Sequence, residues 1–271
     1  MTPAAILDFQ QVILNYYACH GRHDLPWRQA ISSRLDPYAI LVSELMLQQT
    51  QVSRVIPKYE NFLTDFPTVS SLAASPLGAV LTAWSGLGYN RRAKFLHQAA
   101  QRIVDEHGGQ LPKTVTELRQ LPGVGANTAG AIVAYAYDAP VIFIETNIRQ
   151  VFIDHFFADQ ELVDDRQILA LVEATLPASD YRVWYWALMD YGSHLKQISG
   201  NAARRSASYS RQTTFQGSLR QLRGQVIKRL TEQPQTLQQL QSALTDERLA
   251  AVVDTLVSEQ LITKHGRQLR I

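Results

Sequence analysis

The chain has 271 residues, a net charge of +2 at pH 7 and 46% hydrophobic residues, a balance that excludes a disordered chain and allows one large or two smaller domains. It has no run of about 18 apolar residues, so a membrane span is not expected. The single cysteine, Cys19, excludes an internal disulfide and a four-cysteine zinc or iron–sulfur site. The N-terminus has no basic cluster ahead of an apolar stretch, so no signal peptide is expected and a cytoplasmic location fits.

The charge is unevenly distributed along the chain. From Arg204 to the last residue there are eleven Lys and Arg residues against five Asp and Glu, whereas the preceding 203 residues carry fifteen basic and nineteen acidic residues. A basic tail of this kind indicates a polyanionic partner, although a solvated surface explains the same pattern.

The sequence predicts short helices over most of the chain. Apolar residues recur at helical spacing over residues 4–19 and 38–55, and Pro and Gly then divide the sequence into helices of about 8–15 residues. Residues 139–144 form a short β-prone apolar run, but no sustained alternation typical of a strand precedes residue 200. We therefore predict an all-α fold over residues 1–195.

The last quarter of the chain has a different pattern. Residues 196–216 are polar and rich in Ser, Arg and Gln, which predicts a basic arm or linker. Residues 217–271 contain three helical segments followed by two short strands around Gly266. This order predicts a small winged-helix-like module at the C-terminus.

A glycine hairpin is the most informative segment. The sequence Leu121-Pro-Gly-Val-Gly-Ala-Asn-Thr-Ala-Gly130 predicts a tight turn that leads directly into a helix. Its glycines permit positive φ and leave backbone N–H groups uncovered, and the helix start adds the positive end of its dipole. Together these features suit a DNA phosphate, although an ordinary turn between two helices is the alternative.

Two acidic residues stand next to apolar sequence. Glu145 follows the apolar run Val141–Ile144 at the predicted start of a helix, where Thr146 and Asn147 are better caps, which leaves Glu145 free. Glu44 lies in an otherwise apolar helix, so burial is expected to raise its pKa and suit it to general acid catalysis. The alternatives are a capping role for Glu145 and a solvent-facing Glu44.

Six motifs stand out in the sequence: Leu25-Pro-Trp-Arg28, Pro37-Tyr38, Ser43-Glu-Leu-Met-Leu-Gln-Gln-Thr-Gln-Val52, Trp84-Ser-Gly-Leu-Gly-Tyr89, the hairpin from Leu121 to Ala129 and Met189-Asp-Tyr-Gly192. Together they resemble the endonuclease III and MutY superfamily of helix-hairpin-helix DNA glycosylases, and its adenine-specific branch most closely. The resemblance extends over residues 22–195. It implies an all-α fold with two helical subdomains, the hairpin between them and the active site in their cleft.

The resemblance also implies roles for individual residues. Glu44 would protonate the departing adenine, Glu145 would stabilise the cationic sugar or bond to its C1′ atom, and Tyr89 would lie at the lesion. Asn127 stands where bifunctional relatives carry a Schiff-base lysine, which implies a monofunctional enzyme. A larger group is expected to contact DNA: Gln48, Gln49, Gly123, Val124, Gly125, Thr128, Arg28, Arg91, Arg204, Arg205 and Arg211.

Three features depart from the family pattern. Glu145 replaces the family's catalytic Asp, and its extra methylene moves the carboxylate by ~1.5 Å on an unchanged backbone. No cysteine follows Ser199, so this is a form without an iron–sulfur cluster, and the arm is expected to take over the DNA contacts of the cluster loop. Residues 217–271 are too short for the NUDIX-like domain of relatives that recognise 8-oxoguanine.

The sequence therefore predicts a monofunctional DNA glycosylase of base excision repair that flips a mispaired adenine out of duplex DNA and hydrolyses its N-glycosidic bond. The expected partner is double-stranded DNA and the expected state a monomer. No metal site and no cofactor are expected, and a monovalent cation at the hairpin is left open. Two alternatives remain: a glycosylase of the same fold for another base, and a non-catalytic DNA-binding protein.

Overall fold

A computed structural model describes residues 1–29, 35–211 and 214–271. Fourteen α-helices occur within these residues, and none of them combines the length and hydrophobicity that crossing a bilayer requires. In chain order the helices are α1 Pro3–His20, α2 Pro37–Leu47, α3 Val52–Asp65, α4 Val69–Ala74, α5 Leu77–Ala83, α6 Arg91–His107, α7 Val115–Leu118, α8 Ala126–Tyr137, α9 Thr146–Phe156, α10 Asp165–Ala174, α11 Tyr181–Ile198, α12 Leu219–Glu232, α13 Leu237–Ala243 and α14 Leu249–Ser258. The predicted all-α fold is confirmed.

Two short 3-10 helices and three short strands accompany the α-helices. These are Pro26–Arg28 and Ala202–Arg205, and β1 Gln235–Thr236, β2 Thr263–His265 and β3 Gln268–Arg270. Two residues of the predicted arm, 212 and 213, lie outside the described residues.

The chain divides into two compact units, each assembled from separate stretches of sequence. The first unit comprises Met1–Glu44, Lys113–Gln120 and Val124–Arg211, and the second comprises Leu45–Pro112, Leu121–Gly123 and Gln212–Ile271. This division cuts across the predicted segments 1–195, 196–216 and 217–271, because the last of them shares a unit with part of the first.

Helices α8, α9 and α11 form the centre of the first unit, and α1 lies against α11. Phe9 of α1 contacts Phe152 and Phe156 of α9 and Trp184 of α11, with ring centroids 4.9–6.1 Å apart. Phe152 and Trp184 are fully buried. Aromatic side chains of this size bury a large apolar surface, so this cluster fixes the relative positions of α1, α9 and α11.

Helices α9 and α11 approach each other closely at one glycine. A Cβ atom added to Gly192 would lie 2.1 Å from the backbone oxygen of Asn147, at the start of α9. No side chain can move out of the way, because the obstructing atom belongs to the backbone. Glycine at 192 therefore sets the position of the first turn of α9.

The second unit contains α3–α6 together with the C-terminal module. Helix α12 lies against both α5 and α14, so the module shares a core with the residues before position 112. The sheet has the order β1-β3-β2 and both pairings are antiparallel. The two strands predicted at the end of the chain are present. The sequence analysis missed β1, which has only two residues and runs directly into the N-cap of α13, Thr236.

We expect Gly192→Ala to destabilise the protein by about 1–3 kcal/mol, the usual cost of overpacking a core. Gly224→Ala is the matched control, because Gly224 lies inside α12 with nothing within 4 Å of its added Cβ. That control should gain about 0.5–1 kcal/mol from helix propensity. Thermal unfolding of both variants measures the difference, and equal stabilisation of both would contradict the close approach of α9 to α11.

Candidate active site

Glu44 is the one charged residue of the largely apolar helix α2. Its neighbours in α2, Leu41, Val42, Leu45 and Met46, are all fully buried, whereas Glu44 itself keeps a small exposed fraction. Burial, followed by the negative charge of Glu145, raises the pKa of Glu44 to about 8, and the cation of Arg28 opposes this rise. The carboxyl group therefore retains its proton at neutral pH.

Glu145 occupies the N-cap position of α9 without acting as a side-chain cap. Its backbone is extended, its carbonyl oxygen accepts the amide hydrogen of Arg149 at 2.8 Å, and its side chain makes no capping hydrogen bond. Thr146 and Asn147, the caps that the sequence predicted, are instead the first two helical residues. The side chain of Glu145 therefore has no capping role, as the sequence predicts. The reason differs, because Glu145 itself occupies the N-cap position and its side chain makes no capping hydrogen bond.

The two glutamates differ in their ionisation. Burial raises the pKa of Glu145, while Arg149 favours its charged form. The charge of Glu145 raises the pKa of Glu44, and Arg149 favours the charged form of Glu145. These effects favour a carboxylic acid at Glu44 and a carboxylate at Glu145.

Arg28 belongs to a buried ion-pair network. Its side chain is 5% exposed, and its guanidinium donates to both carboxylate oxygens of Asp190 at 2.8 and 3.0 Å. Arg22 donates to the same carboxylate, and the Trp186 ring lies 5.2 Å from Arg28. These contacts do not support the predicted DNA contact of Arg28. Its cation instead acts on Glu44 from within the first unit.

Tyr135 is a further member of the site that the sequence analysis did not identify. It lies in α8 and is 6% exposed. Burial raises its pKa well above the usual value, and the charges of Glu44 and Glu145 raise it further. The phenol therefore stays protonated within electrostatic reach of both carboxyl groups.

Tyr89 lies in the second unit, between two arginines. Its backbone is left-handed, with φ of 48°, and the guanidinium groups of Arg92 and Arg220 lie 5.3 and 5.2 Å from its ring centroid. Arg220, from the first turn of α12, also donates to the Tyr89 hydroxyl. The C-terminal module therefore contacts the residue predicted to lie at the lesion, which the sequence did not indicate.

Arg92 joins the two loops that carry Gln48 and Tyr89. Its side chain donates hydrogen bonds of 2.5–3.3 Å to six oxygen atoms, five of them backbone carbonyls: Leu45, Met46, Gln48, Leu87 and Gly88, with Thr50 Oγ1 as the sixth. Two of these carbonyls belong to the last turn of α2 and a third, that of Gln48, follows directly, so Arg92 supplies donors where the helix ends. Burial lowers the pKa of Arg92 to about 10, so it stays charged at neutral pH.

The Gln-rich loop, residues 48–51 between α2 and α3, and the hairpin present polar backbone at the ends of helices. Gln49 is exposed and left-handed, with φ of 55°, and Gln48 is partly buried. In the hairpin, Gly123 has φ of 78°, and a Cβ there would lie 2.8 Å from the Cβ of Phe95. Gly125 is exposed and caps α8 with nothing within 4 Å of its Cβ position. A larger residue at Gly123 would disturb the turn.

The remaining residues of the predicted set fall into three groups. Val124 and Thr128 are buried, and Asn127 is partly exposed in the first turn of α8. Arg91, Arg204 and Arg211 are exposed. Arg91 also forms an ion pair, because its Nη1 atom lies 3.9 Å from Oε1 of Glu259.

Arg205 has a structural role in the arm. It donates to the carbonyl oxygens of Phe157, Ala158 and Gln160 at 2.7–2.9 Å, just beyond the end of α9. These bonds tie the arm to the first unit and occupy its Nη1 atom. Arg204 and Arg211 are the arm residues whose exposure suits a phosphate contact.

Comparison with known proteins places the chain in a family. Residues 42–177 match the family described as HhH-GPD superfamily base excision DNA repair protein. An adenine DNA glycosylase of Mycobacterium tuberculosis is 34% identical, over 90% of this chain and 87% of that protein. One of Buchnera aphidicola subsp. Baizongia pistaciae is 35% identical over 69% of this chain. The chain belongs to the HhH-GPD superfamily of base excision DNA repair proteins.

The comparisons also define how far the similarity extends. The chain spans about half the length of the Buchnera relative, 52% of it. Among solved structures, a thermostable thymine-DNA glycosylase aligns with a TM-score of 0.60 at 23% identity, over 69% of this chain and 86% of the other. That similarity establishes the fold.

We expect the pKa of Glu44 to make stability fall as the pH rises. The unfolded chain releases this proton near pH 4.5 and the folded chain near pH 8, so the folded state holds more protons between these values. The unfolding free energy should therefore fall by about 1.4 kcal/mol per pH unit in this window. Denaturant titrations of wild type and Glu44→Gln at pH 5 to 9 measure the effect. The variant should lack this decline, and parallel curves for both proteins would show that Glu44 titrates normally.

Proposed function

We propose that the protein is a monofunctional DNA glycosylase that removes adenine from a mispair in duplex DNA. The observation that carries the proposal is the pairing of a protonated Glu44 with an ionised Glu145 in one compact unit. Relatives that are 34–35% identical are named adenine DNA glycosylases. This similarity supports adenine as the base.

The chemistry of N-glycoside cleavage requires both forms of carboxyl group. As the bond between the base nitrogen and C1′ breaks, its electron pair goes to the base and positive charge develops on the sugar. Glu44 gives its proton to a ring nitrogen of the base, which makes the base a neutral leaving group. The Glu145 carboxylate stabilises the cationic sugar until water adds to C1′, and the proton of that water passes to a carboxylate or to solvent.

The residue at position 127 supports a single activity. Strand cleavage by a glycosylase needs an amine that forms a Schiff base at C1′. Asn127, in the first turn of α8, has no such amine. The product would therefore be an intact strand with an abasic site.

DNA would be held mainly by backbone amides of the protein and by exposed arginine side chains. The exposed amides at Gly123 and Gly125 and the start of α8 suit a phosphate. Gln48 and Gln49 would contact the base stack, and the exposed Arg204 and Arg211 would contact phosphates. The single cysteine, Cys19, supplies no ligand set for an iron–sulfur cluster, so we propose a cluster-free enzyme.

The substrate is tested with a panel of duplexes, each with one modified or mispaired base, including A opposite G and A opposite 8-oxoguanine. We expect adenine release from one or both of these, with strand breakage only after hot alkali. Glu44→Gln should bind the same duplexes while losing ~10²–10⁴-fold in excision rate, the usual contribution of acid catalysis.

Other outcomes of this panel separate the alternatives. Release of a different base, with A mispairs untouched, would assign the fold to another lesion, an outcome that the Glu at position 145 makes worth testing. Tight binding without turnover on any duplex would show a non-catalytic DNA-binding protein. Breakage without alkali would contradict the role of Asn127.

The length of the Glu145 side chain gives a further prediction. If the site is built around a glutamate, Glu145→Asp withdraws the carboxylate by ~1.5 Å, and excision should fall ~10²-fold. Glu145→Gln keeps the length, removes the charge and should lose at least as much. Single-turnover rates measure both. A faster Glu145→Asp variant would show that the glutamate is displaced from its optimal position.

A further inference from the structure

A large groove lies within the second unit. It encloses about 940 Å³ and is lined by three segments: the end of the Gln-rich loop with α3, the loop before α6, and helix α12 with Phe215. The C-terminal module therefore supplies one complete wall of this groove.

The lining of the groove is cationic. Its charged residues are Arg54, Lys58, Arg220 and Lys228, and no Asp or Glu is among the lining residues. Arg54 and Lys228 are exposed, and neither of them has an ion-pair partner among the described residues. A groove that concentrates cations without counter-charges attracts a polyanion.

The groove also contains aromatic rings and side-chain amides. Tyr89 and Phe215 both line it, and Phe215 is 58% exposed. Gln49, Gln225 and Asn90 add donors and acceptors. A cationic channel with aromatic rings is the pattern that binds a nucleic acid strand through its phosphates and bases.

The distribution of charge within the module identifies which helix faces the nucleic acid. In the three-helix variant of the helix-turn-helix, the third helix reads the major groove of DNA. Here the third helix, α14, has no Lys or Arg, whereas α12 has Arg220, Arg223, Lys228 and Arg229. The first helix of this module is therefore better suited to contact phosphates than the third.

Contacts to Glu259 and Gln260 fix the position of α12, the wall of the groove that the C-terminal module supplies. Arg223 of α12 pairs with the Glu259 side chain. Lys94 of α6 donates to the Glu259 carbonyl oxygen at 2.6 Å and to Gln260 at 3.1 Å. The module is thus fixed to α6 just beyond α14, and α12 faces the groove as a fixed element.

We propose that this groove binds one strand of the DNA substrate, with Arg54 and Lys228 on its phosphates and Tyr89 and Phe215 beside its bases. The inference rests on DNA being the substrate under the proposed function. It gives the C-terminal module a direct part in DNA binding through α12.

The test compares two double variants that remove equal charge from the second unit. Arg54→Gln with Lys228→Gln removes two groove cations, and Lys264→Gln with Arg267→Gln removes two exposed cations near the β2–β3 turn. Binding to a 25-base-pair duplex is measured across salt concentrations in a Glu44→Gln background. Each lost phosphate contact flattens the slope of log affinity against log salt by about 0.9, so the groove variant should lose about 1.8 and the control none. Equal slopes for the two variants would overturn the proposal.

Cross-linking locates the strand directly. Gln225→Cys places a thiol in the groove and Lys264→Cys places one near the β2–β3 turn, both in a Cys19→Ser background because Cys19 is exposed. With duplexes carrying a thiol tether at successive phosphates of either strand, Gln225→Cys should trap a short run of positions on one strand. Trapping on neither strand, or equally by Lys264→Cys, would contradict the groove. These readouts need no base release, so the groove and the adenine activity can fail independently.

Discussion

The chemistry available to the first unit depends on one carboxyl group that keeps its proton beside another that has lost it. Burial among Leu41, Leu45 and Met46 favours the neutral form of Glu44, and the charge of Glu145 acts in the same direction. Arg28 acts in the opposite direction. Asp190 offsets part of this positive charge, because its carboxylate accepts two hydrogen bonds from Arg28. The ion-pair network is therefore part of what keeps Glu44 an acid.

The position of the carboxylate depends on the backbone of α9. Glu145 is the residue before its first turn, and Gly192 lets α11 approach that turn directly. The arm secures the same helix at two further points. Arg205 binds carbonyls just beyond its end, and Ser206 bonds to Asp165 at 2.9 Å, the partner of Arg149. Hydrogen bonding to Arg149 lowers the pKa of Asp165 to about 2, so this pair persists across the physiological range. The polar arm, predicted as a DNA contact, thus also positions the helix of Glu145.

The sequence was sufficient for features that depend on local pattern and insufficient for those that depend on distant partners. The helix around Glu44, the helix start at Glu145 and the Gly-rich hairpin follow from periodicity, apolar neighbours and glycine placement. Nothing in the pattern near Arg92 indicates that it bonds to carbonyls more than forty residues away, or that Arg220 reaches Tyr89 across 131 positions. Arg28 illustrates the same limit. The sequence predicts that it contacts DNA, whereas its partner Asp190 is 162 residues distant, and burial of a charge is visible only with its partner in place.

The basic tail shows why net charge is a poor guide to a binding surface. Three of its arginines bond to other residues of the protein: Arg205 to carbonyls, Arg223 to Glu259 and Arg248 to Asp246. Cations satisfied in this way gain little from a phosphate, because binding it would break existing bonds. What distinguishes the groove is that Arg54, from the acidic part of the chain, and Lys228, from the basic part, line one surface whose lining residues include no Asp or Glu. Affinity for a polyanion depends on such local concentration of unpaired charge, so folding creates a binding surface that neither half of the sequence encodes alone.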